Sequence, residues 1–464
     1  MTPLRRATVP NLKVNPIRVL QFGSGNFLRG FADFIIDVMN EKGCFQGDVE
    51  IVQSVSSSRD NGLQLQDGLY HVAVRGLVDN NLYEQLRLVT CVAHTFSARE
   101  QPTHFYSAAL NPDLRFVISN TTEAGIMFTE EPFEDGGIPL TFPGKLTRIL
   151  FERFKEHLPG LIVLPCELIE KNGTVLRDRI VQYIDHWKLP AEFEQWVIDQ
   201  CIFCNTLVDR IVPGGSKSLI EEVTEKTGYI DVIPVSVEPY YFWAIEAPPI
   251  VKDEFPADAC GLNVRFVNDL GYFRERKVKI LNGGHTAVMP VAYLLGLRTV
   301  KECLSHEATK SFLNSVLFDE IIPTLNGDLV DLRGFAHEVL DRFANPFVEH
   351  QLASIALNSI AKFKVRLLPT ILEYHRVGGH FPKLMIHSFA ALIVFYRGLW
   401  RGQIIPLNDD ASVIGFYNEV WRGEQSQIVS RVLANHSMWG VNLAEVPGMV
   451  DAVSSELDLL LLSE

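Results

Sequence analysis

A glycine turn set between a short buried strand and a helix constrains this chain more than any other feature. Arg18-Val-Leu-Gln-Phe22 has the length and apolar character of a buried strand, and Gly23-Ser-Gly25 follows at once. Apolar residues then recur at Phe27, Phe31, Phe34, Ile35, Val38 and Met39 until Gly43. That spacing is the period of an amphipathic helix. Strand, glycine turn and helix in this order form the context of a dinucleotide fingerprint. Gly23 permits the tight turn, and Gly25 lets the backbone approach a pyrophosphate. The helix N-terminus offers free N–H groups to the anion. Leu28 stands where the usual G-x-G-x-x-G has its third glycine, which weakens the signal, and a purely structural turn is the alternative.

Further along, two textures divide the chain. Val49 to Val55, Leu86 to Ala93, Leu114 to Ser119, Leu161 to Leu164 and Ile230 to Val237 are rich in Val, Ile and Leu. Helical patterns such as Gly144 to His157 and Val175 to Trp187 lie between several of them. The alternation predicts an α/β, Rossmann-like domain over residues 1–273, built on a largely parallel sheet. Beyond Arg274 strand signals nearly vanish. Amphipathic runs at Glu302 to Leu317, His350 to Phe363 and Leu384 to Trp400 predict a mostly α-helical domain over residues 274–464. A length of 464 residues suits two or three domains.

The net charge of −14 argues against a nucleic-acid or anionic-membrane partner. The longest apolar stretch, Leu384 to Tyr396, is too short to span a bilayer. No apolar leader follows Met1-Thr-Pro-Leu-Arg-Arg, so a cytoplasmic location is expected. Seven cysteines form no recognisable disulfide framework. Cys201 and Cys204 are a C-x-x-C without the further ligands a zinc site needs, and buried free thiols are expected. No H-E-x-x-H or dense His/Asp cluster is visible, so chemistry without a metal is expected.

The chemistry-bearing residues concentrate in Lys277-Val-Lys-Ile-Leu-Asn282-Gly-Gly-His285. On an α-helix Asn282 and His285 would lie about 140° and 80° around the axis from Lys277, sharing one broad face. A lysine held substantially neutral by desolvation and nearby cations can move a hydroxyl proton. An asparagine amide can donate to a developing oxyanion, and a histidine can hold a neighbouring hydroxyl. Arg274, Arg276 and Lys279 add positive potential, although a solvated charge is the plainer reading of Lys279.

Five segments, in order, carry a resemblance to a known family. They are Val19 to Arg29, Ser119 to Gly125, Leu164 to Ile169, Asn205 to Arg210, and Lys277 to His285. Together they resemble the polyol-specific long-chain dehydrogenases/reductases, typified by mannitol 2-dehydrogenase, and most of all the family's uronate-processing branch. The resemblance implies NAD-dependent hydride transfer without a metal, in a cleft between the domains. It implies Lys277 as general acid/base, Asn282 as oxyanion donor, and His285 with Asp209 as the pair that positions substrate hydroxyls. Gly23, Gly25, Asn26, Phe27 and Arg29 would bind the cofactor. Thr122 and Glu123, after another strand end, would lie near it, unless they are only a helix cap and first-turn acid.

Two features qualify the resemblance. The second strand runs into Ser56-Ser-Ser-Arg59 rather than an acidic residue, which leaves NADP open beside NAD. Mannitol dehydrogenases carry a Cys-Asp-Asn triplet where this chain has Cys166, Glu167 and Leu168. Leu168 cannot donate a hydrogen bond. Either Asn282 and Lys277 suffice, or Asn172 or a backbone N–H takes the role. A small-molecule keto sugar acid is expected in preference to a neutral polyol, with Lys364 and Arg366 of Ala361-Lys-Phe-Lys-Val-Arg366 as cations for its carboxylate. A catalytically silent sensor of the same fold is the competing reading.

Overall fold

The computed structural model describes residues 1–53, 62–121 and 125–464. The chain forms two compact units, one of Met1–Arg75 and Leu82–Leu270, the other of Gly76–Asn81 and Gly271–Glu464.

The first unit is organised by a six-stranded parallel sheet. Its strands run in the order Val92–Ser97, Asp48–Gln53, Ile17–Phe22, Phe116–Ser119, Ile162–Pro165, Ile202–Phe203. Numbered along the chain, that order is 3-2-1-4-5-6, the doubly wound Rossmann order. The strands are apolar on both faces because both faces are covered. Phe31, Ile35 and Met39 pack on one side, and Phe105, Leu146, Ile149 and Ile180 on the other. Strand order reverses between Ile17–Phe22 and Phe116–Ser119, and such a reversal opens a crevice at the carboxyl ends of the strands. A smaller sheet orders Asn205–Asp209, Phe242–Glu246 and Val264–Val267.

Three expected elements are interrupted. The helix after the glycine turn is split into Asn26–Arg29 and Ala32–Glu41. The run Leu86 to Ala93 belongs to two sheets: Asn81–Val89 pairs with Tyr70–Val78, whereas Val92–Ser97 is the edge of the parallel sheet. Asp37 holds that break, its Oδ1 accepting from Thr90 N (2.7 Å), Thr90 Oγ1 (3.0 Å) and Cys91 N (3.2 Å). The run Ile230 to Val237 breaks at the buried Asp231, which accepts from His71 N (2.6 Å) and Ile233 N (2.9 Å). In each case a side chain or close packing distant in sequence overrides local β or helical propensity.

The second unit is helical, with Leu399–Trp400 and Gln403–Ile404 as a short strand pair. Its centre is the buried helix Lys383–Phe395, packed against Gly283–Leu294 and Met449–Leu462. Among the described residues no helix is long and apolar enough to cross a membrane. Cys201 and Cys204 are buried free thiols, pushed up to about 11 and about 12 by burial. The odd cysteine count gave no sign of the Cys44–Cys260 disulfide, whose partners are 216 residues apart.

Candidate active site

In the first unit the glycine turn lies at the sheet's switch point. Gly23 has φ +117°, and a Cβ there would lie 2.9 Å from Asn120 O. Only glycine accepts both conditions. Gly25 has an ordinary φ of −67°, but nothing lies within 4 Å of where its Cβ would be. The open space, not the backbone angle, is what a close-approaching ligand requires there. A cavity of about 250 Å³ nearby is lined by Phe22, Val52, Gln53 and Thr121 at the strand ends, and by Phe142 and Lys145. The Lys145 amine is lowered to about 8 by burial. Residues 54–61, Thr122 and Glu123 lie outside the described residues.

The other residues expected at the turn have definite places. Asn26 is exposed and accepts from Arg29 Nη2 through Oδ1 at 2.5 Å. Phe27 stacks on Phe31 with centroids 5.0 Å apart. Arg29 is buried and donates to Ser24 O (3.2 Å) and Ile233 O (2.6 Å), bracing the turn from inside. Close helix-to-strand packing, the usual task of the third glycine, falls to Gly30. A Cβ on Gly30 would lie 2.5 Å from Val237 Cγ1. Asp209 is buried at the end of Asn205–Asp209. Arg210 is buried too, donating to Gly30 O (2.7 Å) and Glu238 O (2.9 Å).

In the second unit Lys277–Asn282 is a π-turn, not the α-helix the spacing predicts. It joins Gly271–Arg276 to Gly283–Leu294, and Gly283 N donates to Val278 O five residues back. The wider π-turn, bonded i→i+5, brings residues i and i+5 to within about 50° around the axis. Lys277 and Asn282 therefore lie closer together than the 140° or so of an α-helix. The turn packs on a second π-turn, Val316–Ile321. Gly284 permits close contact there, since a Cβ would lie 3.2 Å from Leu317 Cδ2. Lys279 pairs with Glu275 at 3.0 Å and Arg276 with Asp331 at 2.7 Å, so both of these charges are already compensated.

His285 is buried, stacked on Phe343 with centroids 3.9 Å apart, and edge-on to His350 at 4.9 Å. Burial pushes its pKa well below the ordinary value of 6.5, and His350, Arg342, Arg366 and Lys362 push the same way. The ring is therefore neutral, and its Nε2 has no hydrogen-bond partner among the described residues. Arg366 donates to Thr286 Oγ1 at 3.2 Å, and Thr286 Oγ1 donates to Asn282 O at 2.8 Å. Burial lowers the Arg366 pKa, and among the described residues no carboxylate pairs with it. Lys362, one turn earlier on Ser359–Arg366, shares its face. Lys364 lies round the helix, where a Cβ on Gly440 would meet its Nζ at 3.2 Å. The expected pair Lys364 and Arg366 is thus split, and Lys362 takes the place beside Arg366.

These two units coincide with known domain models. The mannitol dehydrogenase Rossmann domain matches residues 17–258, and the mannitol dehydrogenase C-terminal domain matches residues 269–461. The chain belongs to the mannitol dehydrogenase family. It is an oxidoreductase, and its Rossmann-type domain implies a nicotinamide dinucleotide. Similar to it is the altronate oxidoreductase of Phocaeicola vulgatus, 43% identical over 450 residues, 96% of this chain and 94% of that protein. The altronate oxidoreductase of Bacillus subtilis is 41% identical over 450 residues, 96% of this chain and 92% of that protein. Two solved structures share the fold. The Pseudomonas fluorescens mannitol 2-dehydrogenase ternary complex with NAD and D-mannitol has a TM-score of 0.69 at 22% identity, covering 99% of this chain and 97% of that one. A D-sorbitol dehydrogenase in substrate-free form has a TM-score of 0.80 at 18% identity, covering 100% of this chain and 99% of that one.

Against the mannitol dehydrogenase pattern, the departure at Leu168 has a structural counterpart. Leu168 is 69% exposed, while Glu167 is buried and accepts from Ser119 Oγ (3.0 Å), Thr121 N (2.9 Å) and Thr121 Oγ1 (3.0 Å). Burial raises the Glu167 pKa. The carboxylate thus braces the end of Phe116–Ser119. Asn172 cannot replace the missing donor. Its Nδ2 is committed to Pro165 O (2.9 Å) and Glu167 O (3.1 Å), and its Oδ1 accepts from Gly173 N (2.9 Å) and Thr206 N (2.8 Å). Gly30, Thr286 and Lys362 are the residues sequence reasoning passed over. Each is defined by neighbours remote in the chain, and the one local signal was the i, i+4 spacing of Lys362 and Arg366.

Proposed function

We propose that this oxidoreductase reversibly reduces a keto sugar acid, tagaturonate to altronate, with NAD as coenzyme. The bound dinucleotide supplies the hydride, and its fit rests on the open space at Gly25 and the cavity at the strand ends. Lys277 Nζ gives the proton to the ketone oxygen and takes it back in the oxidation direction. The Asn282 amide donates to the oxygen as negative charge develops. The orphaned Nε2 of His285 meets a substrate hydroxyl, with Asp209 as a second hydroxyl-positioning group. Arg366 and Lys362 hold the carboxylate. No metal is needed at the reacting carbonyl, because lysine and asparagine supply both the proton and the oxyanion contact.

One observation carries the acidic-substrate reading. A chain of net charge −14 sets Arg366 and Lys362 beside one neutral histidine, and Arg366 has no carboxylate partner among the described residues. Clustered, partly desolvated cations cost stability unless an anion compensates them. The relatives named altronate oxidoreductase point the same way. The test follows NADH oxidation with tagaturonate, fructuronate, tagatose and fructose, and repeats the best substrate with NADPH. Tagaturonate should be reduced with far the highest kcat/KM. Equal efficiency on acid and neutral sugar would assign the chain to mannitol-type polyol dehydrogenation. Binding without turnover would assign it to a silent sensor.

A further inference from the structure

One cluster of ligating side chains in the first unit takes no part in this chemistry. Glu50 lies on Asp48–Gln53 and pairs in register with His94 on the edge strand Val92–Ser97. Both project on the sheet face that also carries Val52 and Phe96. The helix Pro102–Ala109 covers that face and brings His104 over them. His104 Nε2 is 2.6 Å from Glu50 Oε1, and the two imidazoles meet edge-on with centroids 4.9 Å apart. One ligand atom from each residue lies within 4.8 Å of the other two.

We propose that Glu50, His94 and His104 form a binding site for a divalent first-row metal ion, of which zinc is the probe. A plain ion pair accounts for Glu50 and His104 but leaves His94 without a role. Its ring makes no hydrogen bond within the described residues, yet it stands beside the same buried carboxylate. Two histidines and one carboxylate are a known three-ligand set for zinc, with water as the fourth ligand. Tetrahedral ligands about 2.1 Å from the ion lie about 3.4 Å apart. Side-chain shifts of about 1 Å would close the set around an ion. Glu50 is only 4% exposed, whereas His94 is exposed and His104 half-buried, which provides an entry path. The ion would staple the edge strand, its neighbour and the covering helix together. All three ligands belong to the first unit, whereas Lys277 belongs to the second.

The test uses tag-free, metal-depleted full-length protein. Calorimetric titration with zinc chloride should show one site of micromolar or tighter affinity. Cobalt(II) should give the visible bands of a low-coordinate site, and zinc should raise the melting temperature. His94→Asn should leave the metal-free melting temperature near the wild-type value and abolish the zinc-dependent rise. Glu50→Gln and the pair His94→Asn with His104→Asn should each weaken zinc by roughly 100-fold or more, since a ligand is lost outright. A chelator should lower the melting temperature of zinc-loaded protein without changing turnover at 25 °C. Absence of saturable binding to the wild type would overturn the site. Wild-type affinity in the double histidine variant would also overturn it, by placing the metal elsewhere.

Discussion

Replacing Arg366 with alanine separates a substrate-carboxylate role from a structural one. In the free protein its guanidinium donates to one neutral acceptor, Thr286 Oγ1, at 3.2 Å. At that length the bond contributes about 1.5 kcal/mol, the low end for a charged donor. Removing the guanidinium also relieves repulsion with Lys362, whose own pKa is lowered by burial and then by Arg366. The two effects oppose, so the melting temperature should stay nearly unchanged or rise. With a carboxylate bound, the loss is a charge-assisted hydrogen bond, about 1.5–3 kcal/mol. At 1.4 kcal/mol per decade this is roughly a 10- to 150-fold loss of affinity. Steady-state assays should therefore show a higher KM for tagaturonate, with the weak activity on tagatose unchanged. Lys364→Ala, altering the far face of the same helix, should change neither. A fall in melting temperature with equal losses on acid and neutral sugar would show Arg366 to be a packing residue and refute the argument.

Five further outcomes follow from the same geometry. The folded pKa of His285 is depressed, so below about 6.5 the unfolded chain binds a proton that the folded chain refuses. Stability should be full above that pH and fall on acidification, by about 1.4 kcal/mol per pH unit from this residue, and His285→Asn should flatten the slope in chemical denaturation from pH 7 to 5. Gly30→Ala should cost about 1–3 kcal/mol, because its Cβ would lie 2.5 Å from Val237 Cγ1. Gly25→Ala, with open space at its Cβ, should leave denaturation unchanged and weaken dinucleotide binding in a fluorescence titration. Lys277→Ala should lower kcat by roughly 10²- to 10⁴-fold while leaving coenzyme affinity near wild type, and Asn282→Ala should cost about 2.7–4 kcal/mol of transition-state stabilisation; single-turnover kinetics with each variant checks both.

The Rossmann character of the first unit was legible in the sequence. A buried parallel strand, a glycine turn and an amphipathic helix are each set by neighbours within a few residues. The helical texture after Arg274 and the motif from Lys277 to His285 were legible for the same reason. Breaks at Thr90 and Asp231 were not, because Asp37 and His71, remote in sequence, complete their hydrogen bonds. Nor was the π-turn, whose extra residue changes no residue type and is stated only by the five-residue hydrogen bond to Val278 O. The motif thus named Lys277 and Asn282, but the fold alone drew them closer around the axis. Likewise the sequence offered three cations over residues 362–366, from which Lys364 and Arg366 were expected and Lys362 was not. Helix Ser359–Arg366 turned Lys364 toward Gly440 and packed Arg366 against Thr286, because residues one turn apart share a face and residues two apart do not. Composition and local period decided which chemistry the chain can carry. Contacts between residues far apart in the chain decided which of its charged groups stand together.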